Sequence, residues 1–485
     1  MKYHSRLDIN WKMPSPPLKA RQWFLWNQEH FGDSHEKSLS KEAYNPAPNI
    51  SLIEQALKRK LPRNTGWEAG PDLSPDQCHQ LQTAANVYKR GVPFKKSGQT
   101  EPAQTELSGR YPILWPDSGD EAPLSPLIQL LKTENAFVLA DENLTDQHPD
   151  LKPWVHYFFR PHENIKNLET VTTICRHRKE HHPQTRSFII IGGGVTCDLG
   201  AFASALCERP FTLVPGTLLA MADACVGGKT GVNVSPFGKN LAGLFAFPEN
   251  VLIFTHLLTT LSPRDYLSGA SECLKHALLD PAFSQREQLA RALTSKSAKQ
   301  LEPWLPEIVS LKARIVEEDP AENHKRAVLN LGHTLAHALE AVSHQQVSET
   351  ETIRHGEAVA IGLLFSVCLS WKLKILATDE KDAMIRLMIS SGIICSPETL
   401  SGHLSCSLST PSLRHQLWTY ICNDKKSDSA SDSVSYWILL KGFGDLAQTK
   451  DGSYKIPVTR ETFESVFTEF SRLWDSSTWS GAIKT

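Results

Sequence analysis

The segment Ser187-Phe-Ile-Ile-Ile191 runs straight into Gly192-Gly-Gly194, and no other feature limits the fold as tightly. A run of three β-branched isoleucines and a phenylalanine has no polar face to offer water. It predicts a strand buried on both sides, as in a parallel sheet covered by helices. The glycines permit a tight turn, and a helix is predicted from about Val195. Ala136 to Ala140, ending at Asp141, reads as a strand of the same kind, and Phe211 to Val214 and Asn250 to Phe254 continue the series. Strands that alternate with helical stretches imply parallel pairing, with ligands at the carboxyl ends of the strands.

After about residue 260 the period changes. Ser268 to Leu279, Ile308 to Glu318, Ala327 to Val342, Glu357 to Leu376 and Thr462 to Trp474 carry apolar residues three and four apart and predict helices. Ser435 to Leu440 is the exception and reads as a late strand or hairpin arm. The chain of 485 residues is therefore divided into an extension over 1–105, an α/β domain over 106–260 and a mostly helical domain over 261–485. The extension mixes proline, tryptophan and charge with little periodicity. It reads either as partly ordered chain or as a partner-binding or oligomerisation arm.

Composition narrows the function. A formal net charge of −2 supplies no long-range field for nucleic acid or an anionic membrane, so an anionic ligand must be held by local basic residues. The ten cysteines are scattered, and no two stand in Cys-x-x-Cys spacing, which fits a reducing, cytoplasmic compartment. The longest apolar stretch, Ala358 to Trp371, is too short and interrupted to span a bilayer. A small-molecule protein, binding neither nucleic acid nor membrane, is expected.

Several motifs carry chemistry. Gly192-Gly-Gly194-Val-Thr-Cys-Asp198 follows a strand and opens a helix, so bare backbone could approach a pyrophosphate there, although Cys197 stands where a Rossmann fingerprint has its third glycine. A simple tight turn explains it equally well. Gly227-Gly-Lys229-Thr230 resembles the end of a P-loop, but Asp223 occupies the position of the required first glycine, which excludes that reading. Lys229, Lys239 and Asn240, placed by their neighbours on consecutive loops, could hold phosphate or polyol oxygens. His333 and His337 share a helix face with Glu340 behind them, and His355-Gly-Glu357 follows, which together look like metal chemistry. Thr334 after His333 rules out the His-Glu-x-x-His protease pattern. Glu272 and Lys275, three apart, pair a possible carboxylate ligand with a cation.

The ordered series GGGVTCDLGAF, VPGTLLAMADACVGGKTGVN, FGKNLAGLF, SGASECLKHALL, RAVLNLGHTLAHALE and RHGEAVAIGL resembles the 3-dehydroquinate synthases, within the sugar-phosphate cyclase family, from about residue 107 to about 450. The resemblance implies a nucleotide-binding α/β domain followed by a helical metal- and substrate-binding domain. It implies that Glu272, His333 and His355 bind a divalent metal, zinc or alternatively cobalt, with His337 on the substrate side. Asp141, Asn143, Glu163, Lys166, Gly192, Gly193, Gly194 and Thr217 would hold NAD, with Asp198 in the same pocket. Asp223, Lys229, Lys239, Asn240, Lys275, Lys312, Arg326, Asn330, His337 and one of Lys425 or Lys426 would grip substrate, and Arg209 would reach the phosphate of a neighbouring subunit in a homodimer. Of these, Lys229, Lys275, Lys312, Arg326, Asn330 and His337 are the expected catalytic residues.

The implied activity is a lyase that converts 3-deoxy-arabino-heptulosonate 7-phosphate to 3-dehydroquinate and phosphate. It proceeds by transient oxidation, phosphate elimination, reduction and aldol closure, with NAD not consumed. Departures from the common pattern stand at Cys197, Pro210, Gly216-Thr217 and Ala224-Cys225, with one extra residue between Lys229 and Lys239. Two enzymatic alternatives remain: a cyclase acting on sedoheptulose 7-phosphate or an amino sugar, and an NAD-dependent, metal-containing polyol dehydrogenase. A catalytically silent scaffold is the alternative from outside the enzymes.

Overall fold

The computed structural model describes residues 111–116, 123–234, 238–320, 322, 324–348, 351–424 and 434–475. The extension over 1–105 lies outside the described residues, as do Lys425 and Lys426. The chain divides into two compact units, one of residues up to Gly216 together with Gly228–Phe254, the other of Thr217–Gly227 with everything from Thr255.

The first unit is built on a six-stranded sheet. Its strands are β1 (Ile113–Leu114), β2 (Ala136–Asp141), β3 (Tyr157–Phe159), β4 (Ser187–Gly192), β5 (Phe211–Pro215) and, after a hairpin, β8 (Asn250–Leu252). Their order is β1-β8-β5-β4-β2-β3, and every pair is parallel. The sequence run that predicted a doubly covered strand is β4, whose Phe188 to Ile191 are all buried. Helices α1 (Ser125–Thr133), α2 (Glu142–Gln147), α3 (Leu168–His181) and α4 (Gly194–Leu206) connect the strands. The chain runs from β2 outward to β3 and from β4 outward to β5, so the winding reverses between β2 and β4. Their carboxyl ends, Asp141 and Gly192, are thereby neighbours at the place where open α/β sheets bind ligands.

Lys229 and Gly238-Lys239-Asn240 do not lie on loops as expected. They open the two arms of an antiparallel hairpin, β6 (Lys229–Val234) and β7 (Gly238–Phe245), paired from Lys229↔Phe245 to Val234↔Gly238. Glycines at 231, 238 and 243 interrupt the alternation by which a strand is recognised, and the main-chain ladder holds the arms together instead.

The second unit is mostly helical, with α5 (Pro263–Leu279), α6 (Arg286–Thr294), α7 (Ala298–Leu301), α8 (Leu305–Glu318), α9 (His333–Gln346) and α10 (His355–Lys372). Then follow α11 (Thr378–Ser390), α12 (Pro397–Leu404), α13 (Pro411–Asp424) and α14 (Arg460–Asp475). The late strand is present as β9 (Val434–Trp437), which pairs with β12 (Ile456–Thr459), beside a small pair β10 (Leu440–Gly442) and β11 (Asp445–Leu446). A core of Phe365, Trp437, Phe463, Phe467 and Phe470 joins α10, β9 and α14, with ring centroids 5.3–6.3 Å apart.

The helix expected over Ala327 to Val342 is two elements. A 3-10 turn, Lys325–Asn330, ends at Leu331, and α9 starts afresh at His333. Between them Gly332 takes φ +80, the left-handed region, where a side chain would also meet the Leu363 backbone nitrogen at 2.9 Å. Continuous apolar spacing concealed the break, and the break is what puts His333 at a helix start.

α5 and α10 cross at Gly356, where an added Cβ would lie 1.9 Å from the Ser268 carbonyl oxygen. Gly356→Ala is therefore expected to force the helices apart and to cost about 1–3 kcal/mol, as overpacking does. Urea unfolding measures it, and an unchanged midpoint would show that the contact yields freely.

Candidate functional site

Each unit carries one constellation of the expected residues. In the helical unit α5 is apolar enough to be buried almost throughout, yet Glu272 lies within it at 0 % exposure. A carboxylate in such a place must be compensated. Lys275, one turn along, stands in ion-pair contact with Oε2 and donates to the Leu329 carbonyl at 2.9 Å. Neither oxygen of Glu272 finds a hydrogen-bond partner of normal geometry, so the compensation is electrostatic.

Two imidazoles complete the group. His333 Nδ1–H donates to the Leu331 carbonyl at 3.1 Å, which leaves Nε2 with its lone pair 3.5 Å from Glu272 Oε1. His355 Nδ1 faces Glu340 Oε2 at 3.3 Å and turns Nε2 to Glu272 Oε1 at 3.7 Å. One ligand atom from each of Glu272, His333 and His355 lies within 4.8 Å of the others. Two nitrogens and one oxygen, with both imidazoles oriented through their far nitrogens, suit a catalytic zinc-type ion that keeps positions open. Such an ion would take up the buried carboxylate, which Lys275 and the two imidazoles face without a hydrogen bond of normal geometry. Burial, followed by the Lys275 charge, pushes His333 well below its usual range, which keeps it neutral. Burial works the same way on His355, but the Glu340 and Glu272 carboxylates outweigh it and hold it up to about 10. Burial would raise Glu272, and Lys275 with the two histidines keeps it well below the usual carboxylate range.

The start of α10 is fixed independently. Arg264 donates from Nε and Nη2 to the two oxygens of Glu357 at 2.7 and 2.8 Å, Glu357 accepts from the Arg354 nitrogen at 2.8 Å, and Ser268 Oγ accepts from the Gly356 nitrogen at 3.0 Å. Glu357, noticed in the sequence for its nearness to His355, thus acts by capping the helix that presents His355. Arg264 and Ser268 left no sequence signal, since their partners are about ninety positions away.

The expected substrate residues of this unit already have protein partners. Lys312 Nζ pairs with Asp223 Oδ1 at 2.7 Å, and although burial would raise Asp223, Lys312 holds it far below its usual range. Arg326 donates to the carbonyls of Pro320 and Gly227, both at 2.9 Å, while Asp319 Oδ2 accepts from the backbone nitrogens of His324 and Arg326. Asn330 donates to Glu322 at 3.2 Å, and the His337 ring lies 5.5 Å from that of His333. Asp223, Glu272 and His276 also meet within 4.8 Å, but the ammonium groups of Lys312 and Lys275 occupy the place of a cation there. His276, pushed down to about 4 by burial, is neutral. Thr217, expected beside the cofactor, belongs to this unit, where its Oγ1 accepts from the Ala220 nitrogen.

The α/β unit gathers the other set. Asp141 caps α2, accepting from Asn143 and Leu144 nitrogens at 2.8 and 3.4 Å. A Cβ on Gly192 would lie 2.8 Å from Thr196 and 2.9 Å from the Asp141 Cβ, so only glycine lets these ends close. Gly193 caps α4 without a side-chain bond, and the buried Thr196 hydroxyl has no hydrogen-bond partner among the described residues. Bare backbone, a helix amino terminus and an unsatisfied hydroxyl together fit the pyrophosphate of a dinucleotide. Lys166 Nζ contacts Asp198 Oδ2 at 2.6 Å and Asn240 Oδ1 at 2.7 Å, and Glu163 Oε1 accepts from Asn233 at 2.8 Å. Asn143 and Lys239 are exposed, as is Arg209 in the turn after α4, and Lys229 opens β6.

Comparison with known proteins places these residues in context. Residues 156–268 match the family model described as 3-dehydroquinate synthase N-terminal, and residues 269–427 that described as 3-dehydroquinate synthase C-terminal. A 3-dehydroquinate synthase of Legionella pneumophila (strain Lens) is 40 % identical over 237 residues, 48 % of this chain and 62 % of the relative, so the match spans less than two thirds of that protein. One of Pelobacter propionicus is 36 % identical over 268 residues, 54 % of this chain and 73 % of the relative. Among solved structures, 2-deoxy-scyllo-inosose synthase complexed with carbaglucose-6-phosphate, NAD+ and Co2+ superposes with TM-score 0.62 at 23 % identity, over 76 % of this chain and 99 % of that one. ValA, a 2-epi-5-epi-valiolone synthase from Streptomyces hygroscopicus with NAD+ and Zn2+ bound, gives 0.56 at 20 % identity, over 78 % and 99 %. The structural likenesses show a shared fold. Among the described residues, no helix is long and apolar enough to cross a membrane.

Two outcomes are expected for metal uptake. His355→Ala loses tight Zn2+ binding, whereas His337→Ala, outside the three-residue group, retains stoichiometric zinc by mass spectrometry. Because His355 is protonated in the metal-free protein at neutral pH, uptake releases about one proton per ion at pH 7, and affinity falls as pH falls. Titration in weak buffer measures the release, and uptake without proton release contradicts the assignment.

Proposed function

The chain belongs to the 3-dehydroquinate synthase family, and on that premise we propose that it converts 3-deoxy-arabino-heptulosonate 7-phosphate to 3-dehydroquinate and phosphate. The observation that carries the reading is the Glu272, His333 and His355 group, a buried and unsatisfied carboxylate faced by two oriented imidazoles. NAD and a divalent ion are the implied resident groups. When bound, they supply a hydride acceptor that is restored within each turnover and a Lewis acid for adjacent hydroxyls. Glu272, His333 and His355 would hold the ion, and two nitrogens with one oxygen suit a zinc-type ion. Asp141, Asn143, Glu163, Lys166, the Gly192 to Gly194 turn and Thr217 would hold NAD.

The remaining residues bind and orient the substrate. Lys275, Lys312 and Arg326 supply positive charge for its carboxylate and phosphate, and Asp223, Asn330 and His337 supply partners for hydroxyls. Lys229, Lys239, Asn240, Asp198 and one of Lys425 or Lys426 join them in the proposal. Departing phosphate can itself carry away the proton of the adjacent C–H, so the reading requires no strong protein base. The identities at Lys312, Arg326, Asn330 and His337 support a carboxylate-bearing substrate. A homodimer in which Arg209 reaches the neighbouring subunit's phosphate, and a cytoplasmic location, belong to the same proposal.

Purified protein supplied with NAD, Zn2+ and the heptulosonate phosphate is expected to release phosphate with no net NADH, and the product mass is expected to be that of 3-dehydroquinate. Phosphate release from sedoheptulose 7-phosphate alone would instead make this a different sugar-phosphate cyclase. Steady accumulation of NADH would make it a dehydrogenase.

A further inference from the structure

We propose that Asn233 is a positioning residue that sets Glu163 and Asn240 together, joining the cofactor-holding segment to the substrate-holding hairpin. The roles of Glu163 and Asn240 rest on the function proposed above, while the bonds that Asn233 makes do not. On β6, its Nδ2 donates to the Glu163 carbonyl at 3.2 Å and to Glu163 Oε1 at 2.8 Å. Its Oδ1 accepts from the Asn240 nitrogen at 2.8 Å, and its own backbone nitrogen donates to the Lys166 carbonyl at 2.7 Å. Lys166 Nζ then donates to Asn240 Oδ1 at 2.7 Å, which closes a ring of hydrogen bonds between two segments some seventy positions apart.

The chemistry of the ring requires an amide. The Asn240 nitrogen can only donate and the Glu163 oxygens can only accept, so the side chain at 233 must accept at one end and donate at the other. Aspartate keeps the acceptor but sets a second carboxylate against Glu163, where like charges repel. Alanine keeps neither. The constraint matters most at Asn240, a non-glycine residue held at φ +51, in the left-handed region that favours glycine, where the turn leans on outside support. Asn233 provides that support through the Asn240 nitrogen. Asn233 closes the motif VPGTLLAMADACVGGKTGVN, but nothing in its spacing gave it a role, since an asparagine before a turn is ordinary.

Full-length Asn233→Asp and Asn233→Ala separate the two functions of the side chain. In equilibrium dialysis without substrate, Asn233→Asp is expected to bind NAD about tenfold more weakly, because Glu163 is displaced. Its KM for the heptulosonate phosphate is expected to move less than about twofold, because Asn240 is still held. Asn233→Ala is expected to lose about tenfold in both. In the ligand-free protein, the Asn240 amide is expected to exchange its hydrogen at least about tenfold faster in Asn233→Ala and to stay protected in Asn233→Asp. Wild-type affinity for NAD in Asn233→Asp, or equal losses in both parameters for both variants, overturns the positioning role. If wild-type protein takes no NAD, the functional reading falls, and exchange at Asn240 alone decides: unchanged protection in Asn233→Ala overturns the inference and lost protection supports it.

Discussion

The carboxylate of Glu272, buried in the middle of α5, is the constraint to which the helical unit is adjusted. A lone ionised carboxylate in such surroundings costs several kcal/mol, and protonation or a cation must relieve it. Here three elements converge to relieve it: Lys275 from the same helix, His333 from the start of α9 and His355 from the start of α10. Both histidines begin their helices, and both starts are specially made. Gly332 turns the chain through a left-handed residue to begin α9, and Arg264, Glu357 and Ser268 lock the first turn of α10. An apolar residue at 272 would make these devices pointless.

The α/β unit solves a different problem by similar means. Its sheet ends at Asp141 and Gly192, where the winding reverses, and glycine leaves backbone groups bare. The polar side chains nearby are held by one another. Lys166, 7 % exposed, pairs with Asp198, and Asn233 ties Glu163 to the hairpin that carries Asn240. Rigid elements thus present the backbone, and a hydrogen-bond network presents the side chains. The second is more easily altered by single substitutions, because every member depends on the others.

Much of this was legible in the sequence, for identifiable reasons. Ser187 to Ile191 could be read as a covered strand because its apolarity admits no other solution, and Glu272 with Lys275 could be read as a pair because helix periodicity brings residues three apart together. The hairpin could not be read, since glycines erase alternation at 231, 238 and 243, nor could the break at Gly332, since apolar spacing runs across it unchanged. His333 and His355 looked like ligands, yet spacing alone favoured His337 equally. The family resemblance chose His333 and His355, and the tertiary placement of α10 against α9 groups those two with Glu272. Arg264, Ser268, Asp319 and Asn233 lay beyond reach because each acts on a partner or a turn that only folding brings near.

The net charge of −2 now has a local meaning. In the helical unit Lys275 faces Glu272, Lys312 faces Asp223, and Arg326 donates to carbonyls, so any anionic substrate held there would compete with bonds already made. The competition is a condition of having cations there at all. Burial pulls Lys312 below its usual range and Asp223 offsets part of that pull, so the carboxylate that would compete with a substrate's phosphate also favours the charged lysine. Arginine retains its proton in such surroundings without help, and Arg326 accordingly rests on backbone oxygens. Glu272 faces Lys275 in the same way, and any metal ion held with His333 and His355 would draw on the same carboxylate, leaving Lys275 one competitor fewer for an anionic ligand.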